Sequence, residues 1–139
     1  MSLHVLDTDM LTLYQAGRAF VVQRVQACPP TQLAVCVISV EEELTGWYTK
    51  LRMAKKRDQL ARAYQRLADA IGFLSHVRIL PFPEPAIDRY ETLRKSHRHV
   101  SKNDLRIAAI VLELGATPVT RNARDFHQIA GLAFEDWSK

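Results

Sequence analysis

The stretch Leu33-Ala34-Val35-Cys36-Val37-Ile38 runs directly into Ser39-Val40-Glu41-Glu42-Glu43-Leu44, a strand without a polar face joined to a helix. A continuous apolar, β-branched run marks a strand buried on both sides, which occurs where helices cover a parallel sheet. Ser39 followed by Glu42 has capping-box spacing, so a helix is expected to begin there and run through the 40s and early 50s. On that helix Val40, Leu44, Trp47 and Leu51 share one face. At about 100° per residue, Glu42 points away from this stripe and Glu43 lies at its border. Of the three glutamates, Glu43 is therefore expected to be half buried.

Outward from this unit, strands and helices alternate. Leu3 to Leu6 has strand length, and Thr8 or Asp9 can cap a helix through about Gln15. A second helix, about Ala19 to Ala27, stops before Pro29-Pro30. Leu60, Tyr64, Leu67, Ile71 and Leu74 recur at helical spacing, predicting an amphipathic helix over Arg57 to Ser75. Val77 to Leu80 reads as a short strand, and Pro85 suits the first turn of a helix reaching about Lys95. Lys102 to Leu114 is apolar on nearly every side and closes at Gly115, so it predicts a core helix. Ala116 to Thr120 predicts a strand, Asn122 to Gln128 a short helical or turn segment, and Leu132 to Phe134 a last edge strand. The expected fold is α/β, a mostly parallel sheet with helices on both faces, in one domain spanning 1–139.

Composition excludes other classes. The 139 residues are 47% hydrophobic and 24% charged, as in a folded soluble domain and unlike a disordered chain. Two cysteines, Cys28 and Cys36, are too few for a disulfide framework and read as reduced thiols. No apolar run approaches a membrane span, and Asp7 and Asp9 interrupt what a signal peptide would need, so a cytoplasmic location is expected and no membrane partner. Lys and Arg total 19 against 15 Asp and Glu, a net charge of +4. Arginine predominates among the cations, and its planar fork suits phosphate, which is compatible with an anionic polymer as partner.

In parallel α/β sheets ligands gather at the carboxyl ends of the strands. The polar residues expected there are acidic: Asp7 and Asp9 after the first strand, Glu43 after the second, Asp104 opening the core helix, and Asp125 after the strand ending at Thr120. Each alone has an ordinary reading as a cap, a dipole partner or a turn residue. Together they repel one another unless a cation lies among them. Oxygen ligands without cysteine or paired histidine favour Mg²⁺ or Mn²⁺. No Gly-rich phosphate loop and no Ser/His/Asp arrangement is present.

Four segments carry a resemblance. Leu6-Asp7-Thr8-Asp9, Ser39-Val40-Glu41-Glu42-Glu43-Leu44 with Trp47, Asn103-Asp104-Leu105-Arg106-Ile107-Ala108-Ala109, and Val119-Thr120-Arg121-Asn122-Ala123-Arg124-Asp125-Phe126 resemble, in order, the four acidic motifs of the PIN domain. The spacing, with the terminal Glu135-Asp136-Trp137, is similar to that of VapC-type toxin ribonucleases. The resemblance implies a three-layer fold and a metal-dependent ribonuclease. It also implies that a small antitoxin restrains the enzyme, and that it forms a homodimer for which the Arg57 to Ser75 helix and the 40s helix offer surface. It makes Asp7, Glu43, Asp104 and Asp125 the acidic quartet for Mg²⁺ or Mn²⁺, supported by Asp9, Thr120 and Asn122.

Arg94, Lys95, Arg98, Lys102 and Arg106, with His97 and His99, form a basic group beside Asp104 with an expected phosphate-holding role, since cations near an acidic cleft offset repulsion between substrate and carboxylates; Arg98, Lys102 and Arg106, together with Arg121 and Arg124, are the expected RNA contacts. Two rivals stand beside the hydrolase reading. One is a non-catalytic PIN module binding RNA or protein; the other is a receiver-like phosphoacceptor domain, disfavoured because no aspartate ends the 33–38 strand.

Overall fold

The short apolar runs that alternate with amphipathic ones assemble as a parallel sheet, and the computed structural model describes residues 2–139. Strands β1 (His4–Leu6), β2 (Leu33–Cys36), β3 (Arg78–Leu80) and β4 (Thr117–Val119) lie in the order β3-β2-β1-β4, every pair parallel. Val5 sits beside Ala34 on one side and Pro118 on the other. Pro118 is tolerated because β4 is an edge strand.

The helices are α1 (Thr8–Gln15), α2 (Ala19–Ala27), α3 (Val37–Met53), α4 (Arg57–Leu74), α5 (Glu84–Ser96), α6 (Lys102–Leu114) and the short α7 (Ala123–Phe126). Side chains alternate across the sheet as the pleat requires. Leu6, Val35 and Val119 enter a core with Met10, Leu11, Val21 and Leu74. Val5, Ala34 and Cys36 enter the opposite core with Ile107, Ile110 and Val111. Fully burying one such side chain contributes about 1.5–3 kcal/mol, so both sheet faces drive folding. Helix α6 is buried on several sides as its composition predicts, and it ends where Gly115 adopts φ +61°. Both cysteines are free, and no described helix is long and apolar enough to cross a membrane.

Three local expectations change. Helix α3 begins at Val37, not Ser39, with Cys36 as an N-cap that supplies no side-chain bond; fully buried Ser39 faces Thr8 instead, its Oγ 2.9 Å from Thr8 Oγ1. Helix α1 is capped by Asp7, whose Oδ1 accepts from Met10 N at 2.8 Å, because β1 ends one residue before it. No strand forms over Leu132 to Phe134. Leu132 and Phe134 pack toward Tyr90, Leu105 and Phe126, and the chain reaches the sheet edge only at a single parallel bridge between Glu135 and Val119.

Helix α4 forms over the expected range. Its packed face carries Ala63, Ala70 and Leu74, while Leu60, Tyr64 and Ile71 of the apolar stripe are 41%, 57% and 51% exposed. The helix has apolar residues on two sides, and α3 covers only the one with small side chains, where the helices approach closely.

Candidate active site

The chain passes from β1 to β2 to β3 in one direction and then returns to place β4 on the other side of β1. Such a reversal opens a crevice at the carboxyl ends of the strands. A cavity of about 630 Å³ lies there. Asp7 reaches it as the residue after β1, Glu42 from the second turn of α3 and Asp104 from the first turn of α6, with Thr8, Ser101 and Asn122 between them. Asp9 and Arg121 stand at its mouth as an ion pair, Arg121 Nε donating to Asp9 Oδ2 at 2.6 Å.

Burial and mutual repulsion dominate the electrostatics. Asp7 is 5% exposed, and its carboxyl is pushed up to about 6, first by loss of water and then by the charges of Asp9 and Asp104. The Thr120 hydroxyl and the Met10 N–H hold it from rising further. Asp104 is also raised, mainly by burial and next by Glu42 and Asp125, against hydrogen bonds from Ser101 and Asn122. Ser101 caps α6, its Oγ accepting from Asp104 N at 3.1 Å, and so sets the angle at which Asp104 leaves the helix.

Asn122 joins the last two acids. Its Nδ2 donates to Asp104 Oδ2 at 3.3 Å and to Asp125 Oδ2 at 3.0 Å, while its backbone N–H donates to Thr120 Oγ1 at 2.9 Å. Asp125 does not line the cavity and touches it through Asn122.

Glu43 is the principal correction to the expected quartet. It is buried as its helical phase predicts, 7% exposed, but it does not line the cavity; Glu42 does. Thr8 Oγ1 donates to Glu42 Oε1 at 2.5 Å, which ties α1 to α3 across the site. Glu43 lies beside Gln15 and Trp47, whose hydrogen-bonding groups only partly offset the burial that raises its carboxyl, and neither carboxylate oxygen attains good hydrogen-bond geometry. The face of α3 opposite its apolar stripe is not solvated, because α1 and α6 pack there and enclose Glu42. The signal was in the sequence: Ser39 and Glu42, three apart, share a side of the helix and both meet Thr8.

Of the expected RNA contacts, Arg121 is engaged with Asp9, and Arg106 donates to Asn103 Oδ1 at 2.6 Å with its guanidinium over the Tyr90 ring. Arg124 is exposed on α7, and Arg98 and Lys102 line a second cavity. The terminal Trp137 is a packing residue: buried, it donates to Glu135 Oε1 at 3.0 Å and lies under Arg24.

The donor set fits a hard divalent cation, being all oxygen, and burial with mutual repulsion makes the carboxylates reluctant to ionise without one. Among the described residues no three His, Cys, Asp or Glu side chains are gathered tightly enough to hold an ion alone. Mg²⁺ commonly keeps waters and substrate oxygens in its shell, so an open carboxylate set suffices for it.

Known proteins are similar to this chain in sequence and in fold. The PIN domain family model matches residues 5–132. Ribonuclease VapC1 of Haemophilus influenzae (strain R2866) is 27% identical, covering 99% of this chain and 99% of its own. A toxin-antitoxin complex from Klebsiella pneumoniae is 25% identical with a TM-score of 0.72, covering 94% and 95% of the two chains. DNA-bound VapBC from Salmonella typhimurium superimposes with a TM-score of 0.79 over 99% of both chains at 23% identity, a likeness of fold. Acidic residues brought from β1, α3 and α6 to one end of a parallel sheet, within a family match over nearly the whole length, make this chain a member of the PIN domain family.

Proposed function

We propose that the chain is the ribonuclease toxin of a toxin–antitoxin pair and hydrolyses RNA phosphodiesters with Mg²⁺ or Mn²⁺. The observation that carries this reading is the convergence of Asp7, Glu42 and Asp104 on one cavity, with Asp7 and Asp104 both raised by burial and by neighbouring carboxylates. The relative named Ribonuclease VapC1 and the toxin-antitoxin complex of similar fold support the activity and a small protein antitoxin as partner.

In this mechanism Asp7, Glu42 and Asp104 hold the metal. When bound, the ion activates water and offsets charge on the phosphodiester oxygens. The remaining side chains position these acids. Thr8 fixes Glu42 through its hydroxyl, and Ser101 orients Asp104 by capping α6. Asn122 turns its amide N–H toward Asp104 Oδ2 and Asp125 Oδ2 and so fixes one edge of the Asp104 carboxylate. Thr120 holds Asp7 from the side of β4. Asp125 supports Asn122 at the rear of the site. The antitoxin covers the cavity in the cell, where the RNA substrate places the enzyme in the cytoplasm. A second copy packs through α3 and α4, where Tyr48, Leu60, Tyr64 and Ile71 are exposed.

The test is cleavage of RNA by purified protein with Mg²⁺ or Mn²⁺, with and without EDTA, beside Asp7→Asn and Asp104→Asn. Cleavage is expected only from the unsubstituted protein with metal. Activity that survives chelation or both substitutions removes the mechanism, and RNA retained intact in a gel shift under metal would favour the non-catalytic module.

A further inference from the structure

A second cavity, about 550 Å³, lies at the junction of α5 and α6. Its wall carries four permanent cations, Arg94, Lys95, Arg98 and Lys102, against one carboxylate, Glu91. Its floor is apolar, made by Val100 and Leu105, both buried. The ion pairs among the described residues employ other side chains: His4 and Arg24 with Glu135, Arg89 with Glu113, and Arg121 with Asp9. Four like charges around one hollow repel one another, and the fold supplies one carboxylate to relieve them. The hollow is also held open. His97 places Nδ1 3.1 Å from Leu93 O and Nε2 3.3 Å from Gln128 O, and His99 Nε2 is 2.7 Å from Gln128 Oε1, so the 97–100 turn is anchored to the segment after α7.

Position supplies the connection to chemistry. Ser101 lines the acidic cavity and Lys102, its neighbour, lines the cationic one. On α6 the pairs Ser101/Asp104 and Lys102/Leu105 occupy adjacent faces of the first turn. A strand with a phosphodiester among the carboxylates therefore has the cationic hollow next along its path.

We propose that this cavity is a phosphate-backbone subsite, holding the RNA strand beside the cleaved bond and supplying affinity without sequence choice. The inference rests on the ribonuclease reading and gathers Arg94, Lys95, Arg98 and Lys102 of the expected basic group into one hollow, leaving Arg106 outside it. It also separates the group that holds substrate from the group that cuts it. Guanidinium and ammonium groups contact phosphate oxygens, which carry no base identity. An acidic protein segment could meet the same charges, but continuity with the acidic cavity through Ser101 and Lys102 favours the substrate.

The experiment measures binding of a fluorescent single-stranded RNA by anisotropy over a range of salt, in an Asp104→Asn background. It compares that protein with Arg98→Gln/Lys102→Gln added, and with Lys55→Gln/Arg57→Gln as an exposed basic control. Each phosphate contact contributes about 0.7 to the salt slope for a single strand, so loss of two should lower it by about 1.4. The control pair should leave the slope in place, and Arg98→Lys/Lys102→Arg should retain it. In otherwise unsubstituted enzyme the Gln pair should raise KM with kcat unchanged. An unchanged slope and KM overturns the proposal, as does a fall in kcat alone. Poly-glutamate competing as well as RNA of equal charge overturns it in favour of an acidic protein. Absence of RNA cleavage by the unsubstituted enzyme would instead defeat the ribonuclease reading, while the slope comparison still decides whether these cations bind the strand.

Discussion

Two cavities flank the first turn of α6, one acidic and one cationic, and they are built in different ways. The acidic cavity draws Asp7, Glu42 and Asp104 from three elements far apart in the chain, and its charges are buried and mutually opposed. The cationic cavity comes from one continuous segment, residues 91–105, and its charged side chains remain exposed. Burial makes a carboxylate reactive toward a cation by stripping its water, whereas an exposed cation attracts a polyanion and stays screened. Under the proposed function chemistry belongs to the region assembled by tertiary structure, and under the proposed subsite capture belongs to the region assembled locally.

The largest effects should come from the acidic side. Asp104→Asn or Asp7→Asn should lower RNA cleavage by about 10²–10³-fold or more, the scale of losing one preorganised electrostatic group, measured as single-turnover cleavage with Mn²⁺. Equal cleavage by either variant would break the contrast. Next, the two neighbouring glutamates should separate: Glu42→Gln should lose roughly 10–100-fold in cleavage or metal affinity, while Glu43→Gln should keep cleavage near the unsubstituted rate. Glu43→Gln should also stabilise the fold by about 1 kcal/mol in urea unfolding, because it removes an ill-satisfied buried charge. The reverse pattern would restore Glu43 to the quartet.

A smaller effect concerns acid. Burial raises the Asp7 carboxyl from 3.8 to about 6, so the folded state holds this proton more tightly than the unfolded chain does. Its contribution is fully present below about pH 4 and is lost as pH rises toward 6 and above. Between those limits the metal-free protein should lose roughly 1–3 kcal/mol from this group, and Asp7→Asn, which keeps the cap to Met10, should flatten the trend in melts across pH. Added Mn²⁺ should reverse the loss near neutrality by favouring the ionised form. The smallest effect belongs to the exposed pair at the cavity mouth: Arg121→Ala should leave the urea unfolding midpoint almost unchanged, with any difference vanishing at high salt.

Much of this arrangement was legible before folding. The β-branched run at Leu33 to Ile38, the apolar segment over Lys102 to Leu114 and the Gly115 stop are local patterns, and each element formed within about two residues of its expected bounds. The carboxyl ends of the strands were therefore readable as the place where the acids gather, and Asp7 and Asp104 both line the cavity there. Glu43 misled because its phase correctly signals burial but says nothing of what does the burying. Ser39 misled similarly, its capping spacing having been absorbed by a contact with Thr8 31 residues away. On α4 the spacing of the larger apolar residues marks an amphipathic helix without saying what covers it, and the close approach of α3 selects the side bearing Ala63 and Ala70.

The amino-acid order by itself determined the succession of strands and helices, the parallel sheet and the gathering of acids near one end of it, because periodicity and capping act over a few residues. Tertiary structure alone decided which glutamate faces the shared cavity, which side of α4 is covered and how Asn122 links Asp104 to Asp125. A side chain's phase is set about its own helix axis, whereas its surroundings are set by segments that pack against that helix from elsewhere in the chain.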